Sequence, residues 1–378
     1  MKVLKSIVKW LIGIIAVVVI LAYMFDYDYI LKGVRVVYFT GHSSAFIDDY
    51  PYFENDTIYK GTETDVWPLD PDYNKATLTN RLIDTNSEFG TVAYMIIKND
   101  SIYYEWYAEG YSKGSKTNSF SMAKSITSSL MAKAVMDGYI KGLDQPISDF
   151  IPQYEGAKTT VGDLASMASG LDWVEHYTSP FSITARANYD DDLAEVILNQ
   201  EVVNEPGQEF EYLSGSTQLL GMVIQEATGK SLASYLSESF WQPMGASQNA
   251  LWQLDDKENR LAKAFCCISS NARDFARFGK LYKDNGVWDG KRILDSSYVA
   301  KATTSRFEGE PYGYGFWISD YMDKHIFAMR GILGQYVITI PEDNLIVVRL
   351  GHHRSTNVVN SFPEDFYIYI DEAYKMIE

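Results

Sequence analysis

Ser121 and Lys124 stand three residues apart in "SFSMAKSITSSLMAKAVMDGYI", residues 119–140, at the head of a long run of apolar periodicity. On a helix that separation puts both side chains on one face. Ser121 then falls in the first turn, where free backbone N–H groups and the helix dipole favour a developing negative charge. A lysine drawn into a poorly solvated cleft loses proton affinity and can take a serine hydroxyl proton at neutral pH. The chemistry open to such a pair is nucleophilic attack on an acyl carbon. Spacing alone does not decide the matter, because Ser6 and Lys9 repeat it inside the apolar N-terminus. The bland alternative is a serine helix cap beside an exposed lysine.

Two further stretches bear on that choice. "EPGQEFEYLSGSTQLLG" places Tyr212 after the turn-forming Pro206-Gly207 and just ahead of a helix starting near Ser214 or Ser216. A phenol there can pass a proton between nucleophile and leaving group. The same tripeptide recurs at Tyr235, but within the helix-like "SLASYLSESF", where it reads as packing. In "MRGILGQYVITIPEDNLIVV", Gly331 and Gly334 bracket the start of a strand. Glycines there let the backbone approach a ligand, and one amide in that bracket, with that of Ser121, would supply the two donors an acyl-transfer oxyanion requires. A strand-edge bulge is the alternative. A competing nucleophile lies in "TGHSSAF", where residues 41–45 nearly spell Gly-x-Ser-x-Gly and His176, His325, His352 and His353 offer bases in principle. A nucleophile elbow needs a following helix, and "FIDDYPYF" cannot supply one.

These elements, in this order and with a helical insert between the first and third, resemble the serine β-lactamase and penicillin-binding superfamily. More narrowly they are similar to the branch of class C β-lactamases, family VIII esterases and 6-aminohexanoate-dimer hydrolase. The resemblance runs from about residue 80 to the C-terminus and includes "SMASGLDW", "GKSLASYLSESFWQPMGAS" and "SSNARDFARFGKLYKDNGVWDGKRIL". It implies that Ser121 is the acylated nucleophile, Lys124 the motif lysine and Tyr212 the tyrosine of the Tyr-x-Asn element, with Ser214 replacing the asparagine. It also implies oxyanion amides from Ser121 and Ile332, and substrate contacts from Ser214, Arg330 and Gly331. No Lys-Thr-Gly precedes Gly331, which weakens the case for antibiotic hydrolysis or cell-wall peptidase activity. Arg330 is the nearby cation, aimed either at a ligand or at solvent. The implied function is hydrolysis of a small ester, amide or short peptide without cofactor or metal. A β-lactamase, a D-amino-acid peptidase and a non-catalytic sensor of the same fold are the alternatives.

The elements that must hold these residues are legible in outline. "TVAYMIIKNDSIYYEWY" reads as two strands around Lys98-Asn99-Asp100-Ser101, and "KHIFAMRG", "GQYVITI" and "NLIVVRLG" as three more. "FPEDFYIYIDEAYKMI" is an amphipathic helix. Strands at both ends with helices between predict an α+β fold: one antiparallel sheet flanked by helices, with an inserted all-helical lobe over about residues 140–265. The expected division is an anchor at 1–25, an extended connecting segment at 26–80 and a β-lactamase-like hydrolase domain at 81–378.

Composition limits the partners. The formal net charge of −17 is spread without a basic stripe, which argues against nucleic acid. Cys266 and Cys267 are adjacent and have no other partner, so they are expected as small buried residues rather than a disulfide. The N-terminus carries Lys2, Lys5 and Lys9, then an uncharged run from Trp10 to Phe25 that spans a bilayer if Lys9 snorkels, then Asp26 and Asp28. This predicts an uncleaved single-pass anchor with the catalytic mass outside the cytoplasm; a cleaved signal peptide is the competing reading. Oligomeric state is not legible.

Overall fold

A computed structural model describes residues 1–378, the side chain of Lys2 excepted. Helices α1 (Lys2–Met24) and α2 (Asp28–Val37) lead to strand β1 (Asn55–Ile58), helix α3 (Asn80–Glu88) and the hairpin of β2 (Thr91–Lys98) and β3 (Ser101–Tyr107). The short strand β4 (Thr117–Asn118) runs into α4 (Met122–Met136). Helices α5 (Val161–Ala165), α6 (Ile183–Tyr189), α7 (Leu193–Leu198), α8 (Ser214–Thr228) and α9 (Leu232–Leu236) follow. Then come β5 (Ala250–Gln253), β6 (Ile268–Ser270), α10 (Ala272–Lys283), the hairpin β7 (Val287–Trp288) and β8 (Lys291–Arg292), and α11 (Ser296–Ala302). The chain closes with β9 (Trp317–Ser319), β10 (Ile326–Gly331), β11 (Gln335–Ile340), β12 (Leu345–Gly351) and α12 (Glu364–Ile377).

The two ends of the domain meet in one antiparallel sheet of order β3-β2-β12-β11-β10-β9. Period-two alternation explains why it is buried on both faces. Along β2, Ala93, Met95 and Ile97 enter the core beneath α4 and α10, whereas Tyr94 and Ile96 enter a second core with Phe366, Tyr369 and Ile370 of α12. Each of the larger aliphatic or aromatic side chains among these stabilises the fold by roughly 1.5–3 kcal/mol. The α+β expectation holds, as do the strands at 326–351 and the C-terminal helix.

Three details differ from the sequence reading. A second sheet, of order β1-β5-β6-β4, takes one strand from the segment expected to be an extended connection and another from the stretch expected to be wholly helical. Strands of two to four residues carry too little alternation to be seen in a sequence. The connecting segment also contains α2, which is docked on the helical lobe: Lys32 Nζ donates to the Asp255 carbonyl at 2.7 Å, and the Arg186 guanidinium lies 5.7 Å from the Tyr29 ring. Finally, Cys266 and Cys267 are joined in a vicinal disulfide. The turn that carries it holds Cys267 in the left-handed region at φ +75°.

Candidate active site

The site begins where β4 ends. Asn118 pairs with Ser269 of β6, and its Oδ1 accepts the Phe120 N–H at 2.8 Å, while Phe120 itself takes φ +44°. A bulky residue in that region is unusual and needs surrounding structure to hold it. The Ser119 N–H donates to the Ile268 carbonyl at 2.8 Å, and the Ile268 N–H returns a bond to Ser119 Oγ at 3.1 Å. The chain therefore leaves the small sheet through a sharp, pinned turn, and Ser121 arrives at the N-cap of α4.

The Ser121 hydroxyl forms no capping bond. It lies instead 3.2 Å from Lys124 Nζ, which also reaches Ser214 Oγ at 3.1 Å and the Phe265 carbonyl at 2.9 Å. None of these partners is a carboxylate. Lys124 is only 2% exposed, because α4 is buried nearly all round: Met122, Ile126, Leu130 and Ala134 pack in the core as their spacing predicts. Its polar residues are buried too, with Thr127 donating to the Ala264 carbonyl at 2.8 Å and Ser129 to the Ser125 carbonyl at 2.8 Å.

Tyr212 precedes α8, its ring 5.1 Å from Lys124 Nζ and packed against Tyr312 and Trp317 at 5.9 and 5.4 Å. Tyr235 is elsewhere; its hydroxyl donates to Asp137 at 2.9 Å and its ring packs in the core. Ser214 opens α8 and is bound through both its N–H and its hydroxyl to Glu175, at 2.7 Å each. Trp173 packs against Gly215, where an added Cβ would come within 2.6 Å of the indole, and its indole N–H donates to Glu175 at 2.8 Å.

The third element closes on the nucleophile turn. A Cβ on Gly331 would lie 2.3 Å from the Ser119 carbonyl, so only glycine lets β10 end there. Ile332 then begins a tight turn with Leu333 at φ +62° and Gly334 at φ +81°. Fully buried Arg349 pins it by donating from Nη1 to the Leu333 and Gly334 carbonyls at 2.8 Å each. Arg330 turns aside from that turn. Its guanidinium stacks 3.4 Å from the Trp317 ring and donates to the Ser361 carbonyl at 2.7 Å, and burial pulls its pKa down to about 10. No carboxylate pairs with it among the described residues.

Ser121, Lys124 and Ser214 are thus joined directly, Tyr212 lies against the lysine, and Gly331 and Ile332 adjoin the nucleophile turn. The Gly-His-Ser-Ser-Ala stretch is exposed; Ser44 donates only to the Ala45 carbonyl at 3.4 Å and His42 stacks on Phe46 at 3.7 Å. Sequence reading missed Glu175, Asn118, Arg349 and the Phe265 carbonyl. A lone carboxylate in a loop has no periodicity, and a backbone carbonyl has no sequence signal at all.

An antiparallel sheet packed on a helix that opens with Ser121 and buried Lys124 is the arrangement expected of a serine hydrolase. The family model described as Beta-lactamase matches residues 79–365, and the chain belongs to that family. The 6-aminohexanoate-dimer hydrolase of Paenarthrobacter ureafaciens is 23% identical over 312 residues, covering 75% of this chain and 79% of that one. Among solved structures, a Bacillus anthracis protein assigned as a 6-aminohexanoate-dimer hydrolase superposes with a TM-score of 0.71 at 22% identity, over 88% of this chain and 92% of that one. A family VIII carboxylesterase does so with a TM-score of 0.58 at 17% identity, over 79% and 98%. At these identities the two superpositions bear on the fold alone.

Proposed function

We propose that this chain is a membrane-anchored serine hydrolase that cleaves a small ester or amide through an acyl-enzyme on Ser121. The observation that carries the reading is the 3.2 Å contact between Ser121 Oγ and the buried Lys124 Nζ. Ser121 Oγ attacks the acyl carbon while its proton passes to the Lys124 amine, directly or through the Tyr212 phenolate. The carbonyl electron pair moves onto an oxygen held by the Ser121 and Ile332 amides. Collapse of that intermediate breaks the bond to the leaving group, which departs with a proton from Tyr212. Water then attacks the acyl-enzyme by the reverse route.

The substrate side lacks the carboxylate-holding motif of a β-lactamase. Met329-Arg330-Gly331 stands where Lys-Thr-Gly would hold a substrate carboxylate, and Arg330 is engaged with Trp317 and Ser361. Esters and simple amides fit this arrangement better than penicillins or D-amino-acid peptides, which are the second reading. Side-by-side rates on p-nitrophenyl esters, nitrocefin and D-alanyl peptides test the choice. Efficient nitrocefin turnover with negligible ester cleavage would reverse it.

Anchoring is supported by α1. Its segment Val3–Met24 has a mean hydropathy of 2.5, and the rest of the protein buries none of it. From Trp10 to Met24 the helix is apolar on every side and unpartnered by protein, which fits a lipid phase, and with Lys9 snorkelling the 22 residues extend about 33 Å, enough to span the hydrocarbon. Lys2, Lys5 and Lys9 before the uncharged run from Trp10 to Phe25, and Asp26 and Asp28 after it, orient the domain outside the cytoplasm. N-terminal sequencing of the membrane fraction checks this; a mature chain starting near residue 26 would show a cleaved signal sequence instead.

A further inference from the structure

Glu175 lies outside the group of residues given a role above, yet one hydroxyl ties it to them. Its Oε2 accepts the Ser214 backbone N–H at 2.7 Å and the Trp173 indole N–H at 2.8 Å, and its Oε1 accepts the Ser214 hydroxyl at 2.7 Å. A carboxylate only accepts, so the last of these bonds takes up the single hydrogen of Ser214. With that hydrogen committed, Ser214 Oγ can only accept from Lys124 Nζ, 3.1 Å away. The Phe265 carbonyl, 2.9 Å from the same nitrogen, is likewise an acceptor only. A neutral lysine amine has two hydrogens and one lone pair. Ser214 and Phe265 take the hydrogens, and the lone pair is left for the Ser121 hydroxyl at 3.2 Å.

We propose that Glu175 is a positioning residue that orients the Ser214 hydroxyl so that Lys124 presents its lone pair to Ser121. The inference rests on the Ser121–Lys124 reading above. The logic is that of a triad aspartate, which fixes which nitrogen of its histidine carries the proton without itself reacting. A glutamine at position 175 inverts the arrangement. If its oxygen keeps the two N–H donors of Ser214 and Trp173, its NH2 faces Ser214 Oγ and donates to it. The Ser214 hydrogen is then free to turn onto the Lys124 lone pair and occupy it. Removing the Ser214 hydroxyl removes that competing donor, so the damage done by the glutamine depends on Ser214 being present.

The test compares the full-length parent with Glu175→Gln, Ser214→Ala, the double variant and Ser121→Ala. The readouts are kcat and KM on p-nitrophenyl acetate, the rate of fluorophosphonate labelling, and Tm. Glu175→Gln should lower kcat and labelling on the order of a hundredfold with little change in KM. Ser214→Ala should lose less, and adding Glu175→Gln to it should change the rate by no more than about twofold. The double variant is then faster than Glu175→Gln alone. If Glu175 merely anchors its loop, the glutamine costs the same factor in both backgrounds and the loss follows a drop in Tm. That result, or a Glu175→Gln variant with parental kcat, overturns the proposal while leaving Ser121 as nucleophile. A parent that neither hydrolyses nor labels, or whose activity survives Ser121→Ala, overturns the underlying reading and this one with it.

Discussion

Asn118 holds Phe120: its Oδ1 accepts the Phe120 N–H at 2.8 Å across a turn in which Phe120 adopts φ +44°. The amide nitrogen of the same side chain donates to both oxygens of buried Asp49, at 2.9 and 3.0 Å. One buried amide therefore fixes the turn that delivers Ser121 and ties it to the segment before the catalytic domain. Asn118→Ala leaves the Phe120 N–H and part of the Asp49 carboxylate without partners. Its expected cost is about 1–3 kcal/mol of stability for each unsatisfied group, read by denaturant melts, with activity falling beyond what unfolding explains. A variant with parental stability and rate would mean that the backbone holds the turn unaided.

Ser121, Lys124 and Tyr212 should behave as a unit. Ser121→Ala, Lys124→Ala and the double variant are expected to lose similar activity, each on the order of a thousandfold or more, rather than multiplying their losses. Tyr212→Phe should slow turnover and leave Tm nearly unchanged, since its ring contacts with Tyr312 and Trp317 survive the loss of the hydroxyl. A folded Ser121→Ala that hydrolyses a parental substrate at close to the parental rate would reduce the pair to a helix start and its neighbour.

Gly331→Ala places a methyl group 2.3 Å from the Ser119 carbonyl, so either β10 or the nucleophile turn must shift. A displacement on the order of 1 Å at reacting groups can cost about a hundredfold in rate. Acylation by a fluorophosphonate should slow by roughly that factor, and a labelling rate equal to the parent's would show that the Ile332 turn does not need this close approach.

Lys263 gives a pH test away from the site. It is fully buried, with Nζ 3.7 Å over the Phe53 ring and 3.4 Å from Gln253 Oε1. Burial, helped by the charge of Lys32 and opposed by Asp49, pulls its pKa down to about 7 from an ordinary 10.5. Across that window the unfolded chain binds a proton here that the native protein does not, so stability rises with pH. Below the window the native state carries the buried ammonium and the unfavourable contribution is complete. Lys263→Met should flatten the rise in Tm between about pH 7 and 9. An unchanged slope would assign that rise to other groups.

The long elements were open to sequence reading because each carries its own period. The alternation of β2 and the four-residue stripe of α4 state which faces are buried, and Ser121, Lys124, Tyr212 and the Gly331–Gly334 bracket lie at the ends of such elements. The apolar residues 10–25 likewise declare a helix by composition alone. Tertiary structure decided what has no local period. The strands β1, β4, β5 and β6 exist only because they pair with one another, and each is too short to alternate visibly. The partners of Lys124 come from α4, the start of α8 and the segment before β6, which are 90 and 141 residues away along the chain. Glu175 is linked to that lysine through Ser214, 39 residues away in the chain, at the start of a helix on which Trp173 also packs. Local sequence sets which residues can do chemistry, since propensity and periodicity act over a few residues. Which hydrogen faces which lone pair depends on contacts between distant segments, and only the folded chain fixes those.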